Sequence, residues 1–291
     1  MGRGTVFNKV LGSLVGFAIG DAMGATTEFM NSGAIREKYG QVTTILGGGW
    51  LDLEPGEVTD DTQMMILVAE SYNMSLKSSL TEHPLTLEEC CCRKFTEWYM
   101  TNPKDIGNTI RTVISSCFGK SEEEWLKFSE QLNHNYPSRG NGSLMRCLYP
   151  AILGDEEAAV AQGLLTHNNE EVSTYITSYT RILQRNLNST VTSHRGSAII
   201  KHEPKGTAED TFINAVYWSS QGSFKEALIG AVNDGGDADT IAALTGGLAG
   251  AHFGFHNIPS EWVKKLNEES YTQLRELAEK ATTIILQEES I

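Results

Sequence analysis

The chain has 291 residues, of which 40% are hydrophobic and 21% charged, and this is enough to bury a substantial core within one domain. Its formal net charge of −14 argues against broad electrostatic binding to nucleic acid, because an acidic surface repels phosphate. The sequence contains no secretory signal pattern and no run of about 18 uninterrupted apolar residues, so we expect a cytoplasmic protein without an intrinsic membrane segment.

Eight segments show the apolar periodicity of helices. In chain order they are 6–23, 59–74, 87–100, 108–117, 157–166, 172–184, 208–219 and 238–253. Turn-rich stretches separate them, and no segment alternates as a good strand would. Segment 186–207, rich in Asn, Ser, Thr, His and Lys, is the least regular and predicts a surface excursion. We therefore predict one all-α domain spanning residues 1–291.

The five cysteines do not form a recognisable framework for disulfides or zinc. Three are consecutive and two lie far away, at Cys90, Cys91, Cys92, Cys117 and Cys147. This spacing lacks the paired CxxC pattern of a zinc site and the regular spacing of a disulfide scaffold. We interpret them as reduced thiols that fill the core.

The first motif is GDAMGATTE at the end of the opening helix. Asp21 and Glu28 are seven residues apart and face the same way if the helix continues through the motif. Glycines at 16, 20 and 24 recur every four residues and would allow another element to approach that face closely. A plain packing stripe that ends in an exposed acid would explain the same pattern.

Two further motifs each place carboxylates and a hydroxyl at the start of a helix. In PGEVTDDTQM, Thr59 occupies an N-cap position and Asp60 and Asp61 follow in the first turn. Capping and the helix dipole alone would explain that choice. The second motif, GGDADT, repeats the arrangement with Asp237, Asp239 and Thr240 before a helix rich in small residues.

The repetition of this arrangement indicates a metal site. Two buried helix starts loaded with carboxylates would repel one another unless a cation lay between them, and oxygen ligands favour Mg²⁺ or Mn²⁺ over zinc or copper. Up to five negative charges against four from two ions suit a binuclear site with metals about 3.5–4 Å apart. The residues supplying them are Glu28, Asp60, Asp61, Asp237 and Asp239.

The fourth motif, GNGSLMR, comprises Gly140 to Arg146. Its glycines could offer backbone N–H groups to a phosphate, and Arg146 could add positive charge. An ordinary loop would have the same composition. His167, in LTHNN, could hydrogen-bond a substrate or merely cap a helix.

Together these motifs resemble the ADP-ribosylglycohydrolase family, and most closely its bacterial members that act on dinitrogenase reductase. The resemblance runs through GDAMGATTEF, GGGWLDLEPGEVTDDTQM, PKDIGNT, GNGSLMRCLYPA, LTHNN and VNDGGDADTIAALTGGLAGAHFG. It implies a single-domain orthogonal helical bundle with two Mg²⁺ or Mn²⁺ ions. The ligand positions that it implies are Thr59, Asp60, Asp61, Asp237, Asp239 and Thr240.

The resemblance also implies roles for other residues. Glu28 matches an acid near the metals or the attacking water, and it competes with metal-site acids such as Asp60 for the role of general base. Asp105 matches an acid near the departing arginine, and Asp21 matches a support of the metal ligands. The positions that match contacts to the distal ribose and diphosphate are Asn141, Gly142, Ser143 and His167. The chain departs from its relatives at Thr207, where they often have an aromatic contact for ADP-ribose.

The implied reaction is metal-dependent hydrolysis of the N-glycosidic bond between ADP-ribose and arginine on a modified protein, with ADP-ribose as the product. Two alternatives stay open at this point. The same metal motifs would serve O-linked ADP-ribose on serine, O-acetyl-ADP-ribose or a polymer, or a regulator that binds ADP-ribose without turnover. The resemblance further implies a nitrogen-regulatory signalling protein as a partner.

Overall fold

The computed structural model describes residues 1–189 and 199–288. Within these residues every element of regular secondary structure is a helix. Those residues form no β-strand and make three isolated bridges, so the all-α prediction is confirmed. The helices are α1 (Arg3–Gly24), α2 (Ser32–Tyr39), α3 (Asp60–Ser78), α4 (Leu87–Met100), α5 (Asn108–Ser116), α6 (Glu122–Asn135), α7 (Leu148–Leu153), α8 (Glu156–Leu164), α9 (Glu170–Asn188), α10 (Ala208–Ser219), α11 (Phe224–Asp234), α12 (Ala238–Phe253), α13 (Ser260–Val263) and α14 (Glu268–Glu288), with a 3₁₀ turn at Phe255–Asn257.

The segments predicted from periodicity correspond to eight of these helices. The bounds of α4, α10 and α12 match the predicted ones, whereas α3 begins one residue later and runs four residues further than predicted. The predicted surface excursion is partly wrong, because its first residues belong to α9. Residues 199–207 are irregular as expected, and 190–198 lie outside the described residues.

Helices α1 and α12 pack against each other more extensively than any other pair of helices. The glycines predicted as a packing stripe make this contact: a methyl group on Gly20 would lie 2.0 Å from the carbonyl oxygen of Ala242. Two backbones can approach this closely only where side chains are absent or very small. The close packing brings the end of α1 beside the beginning of α12.

Helix α1 is also the one described helix with the length and hydropathy to cross a membrane, but 89% of its most apolar window is buried inside the protein. Burial of this kind is typical of a core helix. The interior divides into a large apolar cluster around α1 and α12 and a smaller one between α3, α4, α5 and α6. All five cysteines are free and buried, as predicted.

Candidate active site

A cavity of about 540 Å³ opens where the end of α1 meets the beginnings of α3 and α12, and its size is typical of a small-molecule site. It brings together ten residues predicted from the sequence: Glu28, Asp60, Asp61, Asp105, Asn141, Gly142, His167, Asp237, Asp239 and Thr240. Three other predicted residues do not line it: Thr59, Ser143 and Arg146.

The start of α3 is built around Thr59 as its N-cap. The Thr59 hydroxyl accepts a hydrogen bond from the Asp61 N–H at 3.2 Å and donates to the Asp61 carboxylate at 3.3 Å. The cap satisfies a free N–H of the first turn and fixes the Asp61 side chain. Thr59 therefore contributes to the site through Asp61.

Asp21 anchors the start of α3 by accepting hydrogen bonds from it. Its buried carboxylate accepts hydrogen bonds from the N–H groups of Thr59 and Thr62 at 3.1 Å and from the Thr62 hydroxyl at 2.5 Å. Both oxygens are occupied by protein donors, so Asp21 holds the first turn of α3 in place. This geometry fits the supporting role that the resemblance implied.

The start of α12 lies against that of α3. The Thr240 hydroxyl donates to the Asp61 carboxylate at 3.3 Å, which joins the two helix starts directly. The Asn141 amide donates to the Asp237 carboxylate at 2.6 Å, so Asn141 orients an acid of the cluster. Carboxylate oxygens of Glu28, Asp237 and Asp239 lie within 4.8 Å of one another.

Two oxygens of this cluster have no hydrogen-bond partner although they are buried: Oδ1 of Asp61 and Oδ1 of Asp239. A buried carboxylate oxygen without a donor is strongly unfavourable unless a cation compensates it. The oxygens available as metal ligands belong to carboxylate and hydroxyl groups, which suit hard divalent cations. The residues present therefore fit a metal centre of that class.

Burial and mutual repulsion disfavour ionisation throughout the cluster. Burial, reinforced by the charge of Asp105, raises the pKa of Asp60 to about 8. Burial likewise raises the pKa of Glu28 to about 8, although the hydrogen bond from Trp50 opposes the shift. A bound cation would favour the ionised carboxylates again.

Asp105 lies on another wall of the same cavity. Burial raises the pKa of its carboxyl group, and the positive charge of Arg111 acts in the opposite direction. Lys104 and Arg111 also line the cavity, and Lys104 donates to Glu57 at 2.8 Å. The cavity thus contains an acidic cluster and, beside Asp105, cationic side chains.

The structure contradicts the prediction that Arg146 contacts a substrate phosphate. Its guanidinium group is completely buried outside the cavity lining. It donates to Gln162 Oε1 at 2.7 Å, to the Gly142 carbonyl at 2.9 Å and to Thr166 Oγ1 at 2.8 Å, and it stacks over the Phe95 ring. Arg146 therefore holds the 140–146 loop against the core and is a positioning residue.

His167 faces the cavity from behind that loop. A methyl group on Gly142 would lie 2.9 Å from the His167 ring, so this glycine permits the close approach of ring and loop. Burial lowers the pKa of His167 to about 3, and its Nδ1 lies 2.9 Å from the Thr166 hydroxyl. The ring is therefore neutral and can hydrogen-bond a substrate without adding charge.

The surroundings of two other predicted residues, Asn141 and Ser143, limit which of their groups can reach a ligand. The Asn141 N–H is donated to the Gly206 carbonyl at 3.2 Å, so it is not free for a phosphate. The Ser143 hydroxyl is buried without a hydrogen-bond partner and lies outside the cavity lining. Thr207 caps α10 by accepting the Asp210 N–H at 3.1 Å.

Sequence reasoning missed two aromatic residues in the cavity wall, Phe29 and Trp50. Trp50 donates its indole N–H to Glu28, and the two rings lie 5.5 Å apart between centroids. Both residues stand within the motifs quoted above. Their position next to Glu28 and next to three consecutive glycines was the available signal.

The family model described as ADP-ribosylglycohydrolase matches residues 3–192 and 173–290. The chain belongs to the ADP-ribosylglycohydrolase family. An ADP-ribosyl-[dinitrogen reductase] glycohydrolase of Rhodospirillum rubrum is 34% identical over 292 aligned residues, which cover 93% of this chain and 94% of that protein. These findings confirm the resemblance.

Two other comparisons, one with a curated relative and one with a solved structure, agree with the family assignment. An ADP-ribosylarginine hydrolase of Serratia proteamaculans (strain 568) is 30% identical, over 89% of this chain and 75% of its own length. A solved structure described as an ADP-ribosylglycohydrolase-related protein complex superimposes with a TM-score of 0.76 and 25% identity, covering 97% of this chain and 99% of its own. The helical fold is therefore that of the family.

Proposed function

We propose that this ADP-ribosyl hydrolase cleaves the N-glycosidic bond between ADP-ribose and an arginine side chain on a modified protein. The observation that carries the proposal is the convergence of Asp60, Asp61, Asp237 and Asp239, from two helix starts, on one cavity. Two relatives named ADP-ribosylarginine hydrolase, each aligned over 89% of this chain, support arginine as the linkage. The five buried, free cysteines support a reducing, cytoplasmic setting.

The proposal includes two divalent cations, Mg²⁺ or Mn²⁺. When bound, they supply fixed positive charge that orients the vicinal ribose hydroxyls and the attacking water. The residues that would hold them are Asp60, Asp61, Asp237, Asp239 and Thr240, with Thr59 acting through Asp61. The unpartnered oxygens of Asp61 and Asp239 support this assignment.

The remaining steps belong to side chains of the chain itself. Glu28 or Asp60 accepts a proton from the water that attacks the anomeric carbon. As the oxygen of that water bonds to the anomeric carbon, the carbon–nitrogen bond breaks and its electron pair stays on the guanidine nitrogen. That nitrogen takes up one proton, which balances the proton that the water gave up. Asp105 attracts the cationic guanidinium, and His167 hydrogen-bonds the ADP-ribose portion. The products are ADP-ribose and unmodified arginine.

The test is release of ADP-ribose from an arginine-ADP-ribosylated protein, with a serine-linked substrate in parallel. We expect release from the arginine linkage with Mn²⁺ and loss of release with EDTA. Asp60→Ala and Asp239→Ala are expected to lower activity at least about 100-fold, because each removes a candidate ligand. Asp155→Asn is the matched control, since Asp155 caps α8 outside the cavity.

Each other outcome would change the proposal in a defined way. Release from serine and not from arginine would overturn the linkage. Release that survives EDTA and both alanine variants would overturn the metal assignment. Saturable binding of ADP-ribose without any release would make the protein a binder.

A further inference from the structure

An exposed aromatic pair lies on the solvent side of the cavity wall. Phe29 is 69% exposed and Trp50 is 54% exposed, and their rings are 5.5 Å apart with an angle of 51° between the planes. Both line the same cavity as Glu28 and Asp105. Large aromatic residues exposed beside a polar site are typical of recognition surfaces.

The backbone of Phe29 adopts a conformation that is unfavourable for a bulky residue. Its φ angle is +61°, in the left-handed region that a bulky residue rarely adopts. The conformation is fixed because the Phe29 N–H donates to the Gly236 carbonyl at 2.7 Å and the Gly236 N–H donates to Met30 at 2.8 Å. Glycine or asparagine would adopt the same backbone more easily, so the phenyl ring itself is the feature to be explained.

Trp50 is oriented as firmly as Phe29. Its indole N–H donates to Glu28, and its loop is closed by paired hydrogen bonds between Gly48 and Leu53 at 2.7 and 3.0 Å. The Thr26 hydroxyl ties the same loop to the end of α1 by donating to the Gly47 carbonyl at 3.1 Å. The Trp50 ring therefore stays next to an acid of the cluster.

Aromatic faces beside carboxylates form a site for a planar organic cation. The negative face of each ring attracts a cation within about 6 Å of its centroid, and guanidinium groups stack on such faces. Among the leaving groups considered above, arginine is cationic, whereas serine and acetate leave as neutral or anionic groups. Of the two cationic side chains in the cavity lining, Lys104 pairs with Glu57, and the positive charge of Arg111 opposes the rise that burial causes in the pKa of Asp105.

We propose that Phe29 and Trp50 form an aromatic wall that receives the guanidinium group and aliphatic stem of the modified arginine, which makes both residues specificity determinants. This inference rests on the proposed function. It assigns the leaving-group side of the cavity to Phe29, Trp50 and Asp105 and leaves the ADP-ribose portion to the acidic cluster and His167.

Phe29→Leu provides the cleanest test, because it removes the aromatic face while leaving the Trp50–Glu28 hydrogen bond in place. We expect kcat/KM for an ADP-ribosylarginine substrate to fall ~2- to 30-fold, the range typical of cation–π contacts, without a matching loss of affinity for free ADP-ribose. Phe29→Tyr restores most of the activity, because it keeps the aromatic face. Phe118→Leu is the matched control at an exposed phenylalanine outside the cavity.

The outcomes separate this inference from the proposed function. Failure of the wild-type enzyme to release ADP-ribose from arginine would overturn the proposed function and, with it, the aromatic wall. If the wild-type enzyme is active on ADP-ribosylarginine, three results would overturn the aromatic wall and leave the proposed function intact. They are unchanged kcat/KM in Phe29→Leu, an equal loss in Phe29→Leu and Phe29→Tyr, and a parallel loss of ADP-ribose affinity.

Discussion

Buried aspartates in this site differ in what satisfies their oxygens. Both oxygens of Asp21 accept hydrogen bonds from backbone or hydroxyl donors, whereas Asp61 and Asp239 each keep one buried oxygen without a donor. A carboxylate whose oxygens all accept hydrogen bonds makes its surroundings rigid, whereas a buried oxygen without a hydrogen bond is stabilised when a cation binds to it. This difference separates a supporting acid from candidate ligands more clearly than sequence position does.

Asp21→Asn tests the supporting role at the residue scale. The amide replaces one acceptor with a donor that faces the N–H groups of Thr59 and Thr62. We expect a loss of about 2 kcal/mol or more in the free energy of unfolding, because buried hydrogen bonds to a charged group are broken, together with weaker Mn²⁺ binding. Urea unfolding and calorimetric titration measure the two effects. Asp155→Asn keeps an acceptor for the Ala158 N–H at the cap of α8, so we expect a clearly smaller loss of stability and no change in Mn²⁺ binding. Equal effects of Asp21→Asn and Asp155→Asn would contradict the assignment.

At the scale of elements, the helix starts that carry the acids were predictable because their signals are local. Thr59 and Asp60 follow a turn, and the bounds of α12 follow from an apolar run after GGDADT. The periodicity missed six of the fourteen described helices, and the two longest of these are α6 and α14. Their caps were the usable signal: Ser121 and Glu124 form a capping box, and the Asn267 side chain accepts the Glu269 N–H.

Tertiary contacts account for what the sequence could not predict. Arg146 was predicted to face a phosphate because arginine near a glycine loop often does so, but Gln162 and Thr166 offer it buried acceptors from α8 and the turn after it. Phe29 and Trp50 become neighbours only when the loop at 47–53 folds back on the end of α1. Sequence position next to Glu28 and next to the three glycines marks the two aromatic residues as candidates, but no local pattern predicts that they pair or which partners Arg146 takes.

Gly20→Ala tests whether the close packing of α1 on α12 supports the site. A methyl group there meets the Ala242 carbonyl at 2.0 Å, so the two backbones must separate. We expect the midpoint of urea unfolding to fall, with ~1–3 kcal/mol lost to overpacking, and Mn²⁺ affinity to fall because Glu28 and Asp239 lie at the end of this helix pair. Gly4→Ala is the matched control in the same helix, where a methyl group meets nothing within 4 Å. Equal effects of the two substitutions would show that the close contact is unimportant.

At the scale of the whole molecule, the acidic cavity accounts for less than half of the net charge. Six carboxylates and two cationic side chains line the cavity, against a total of −14 for the chain. The remaining negative charge lies outside the cavity lining. Within the cavity, the same charges make folding stability depend on pH and on cations.

The pH dependence of stability has a defined sign. In the folded, cation-free protein the carboxyl pKa values are raised, to about 8 for Glu28 and Asp60 and about 6 for Asp237, whereas in the unfolded chain they are about 4. The folded state therefore binds more protons between about pH 4 and 8, and its stability falls as the pH rises through that window.

Thermal unfolding of chelator-treated protein should show a lower Tm at pH 8 than at pH 6. Mg²⁺ binds the ionised carboxylates, so it should raise the Tm more at pH 8 than at pH 6, and Asp239→Asn should diminish that difference. A Tm of the cation-free protein that rises from pH 6 to 8, or an equal Mg²⁺ effect at both, would mean that these carboxyl groups do not form the cation site.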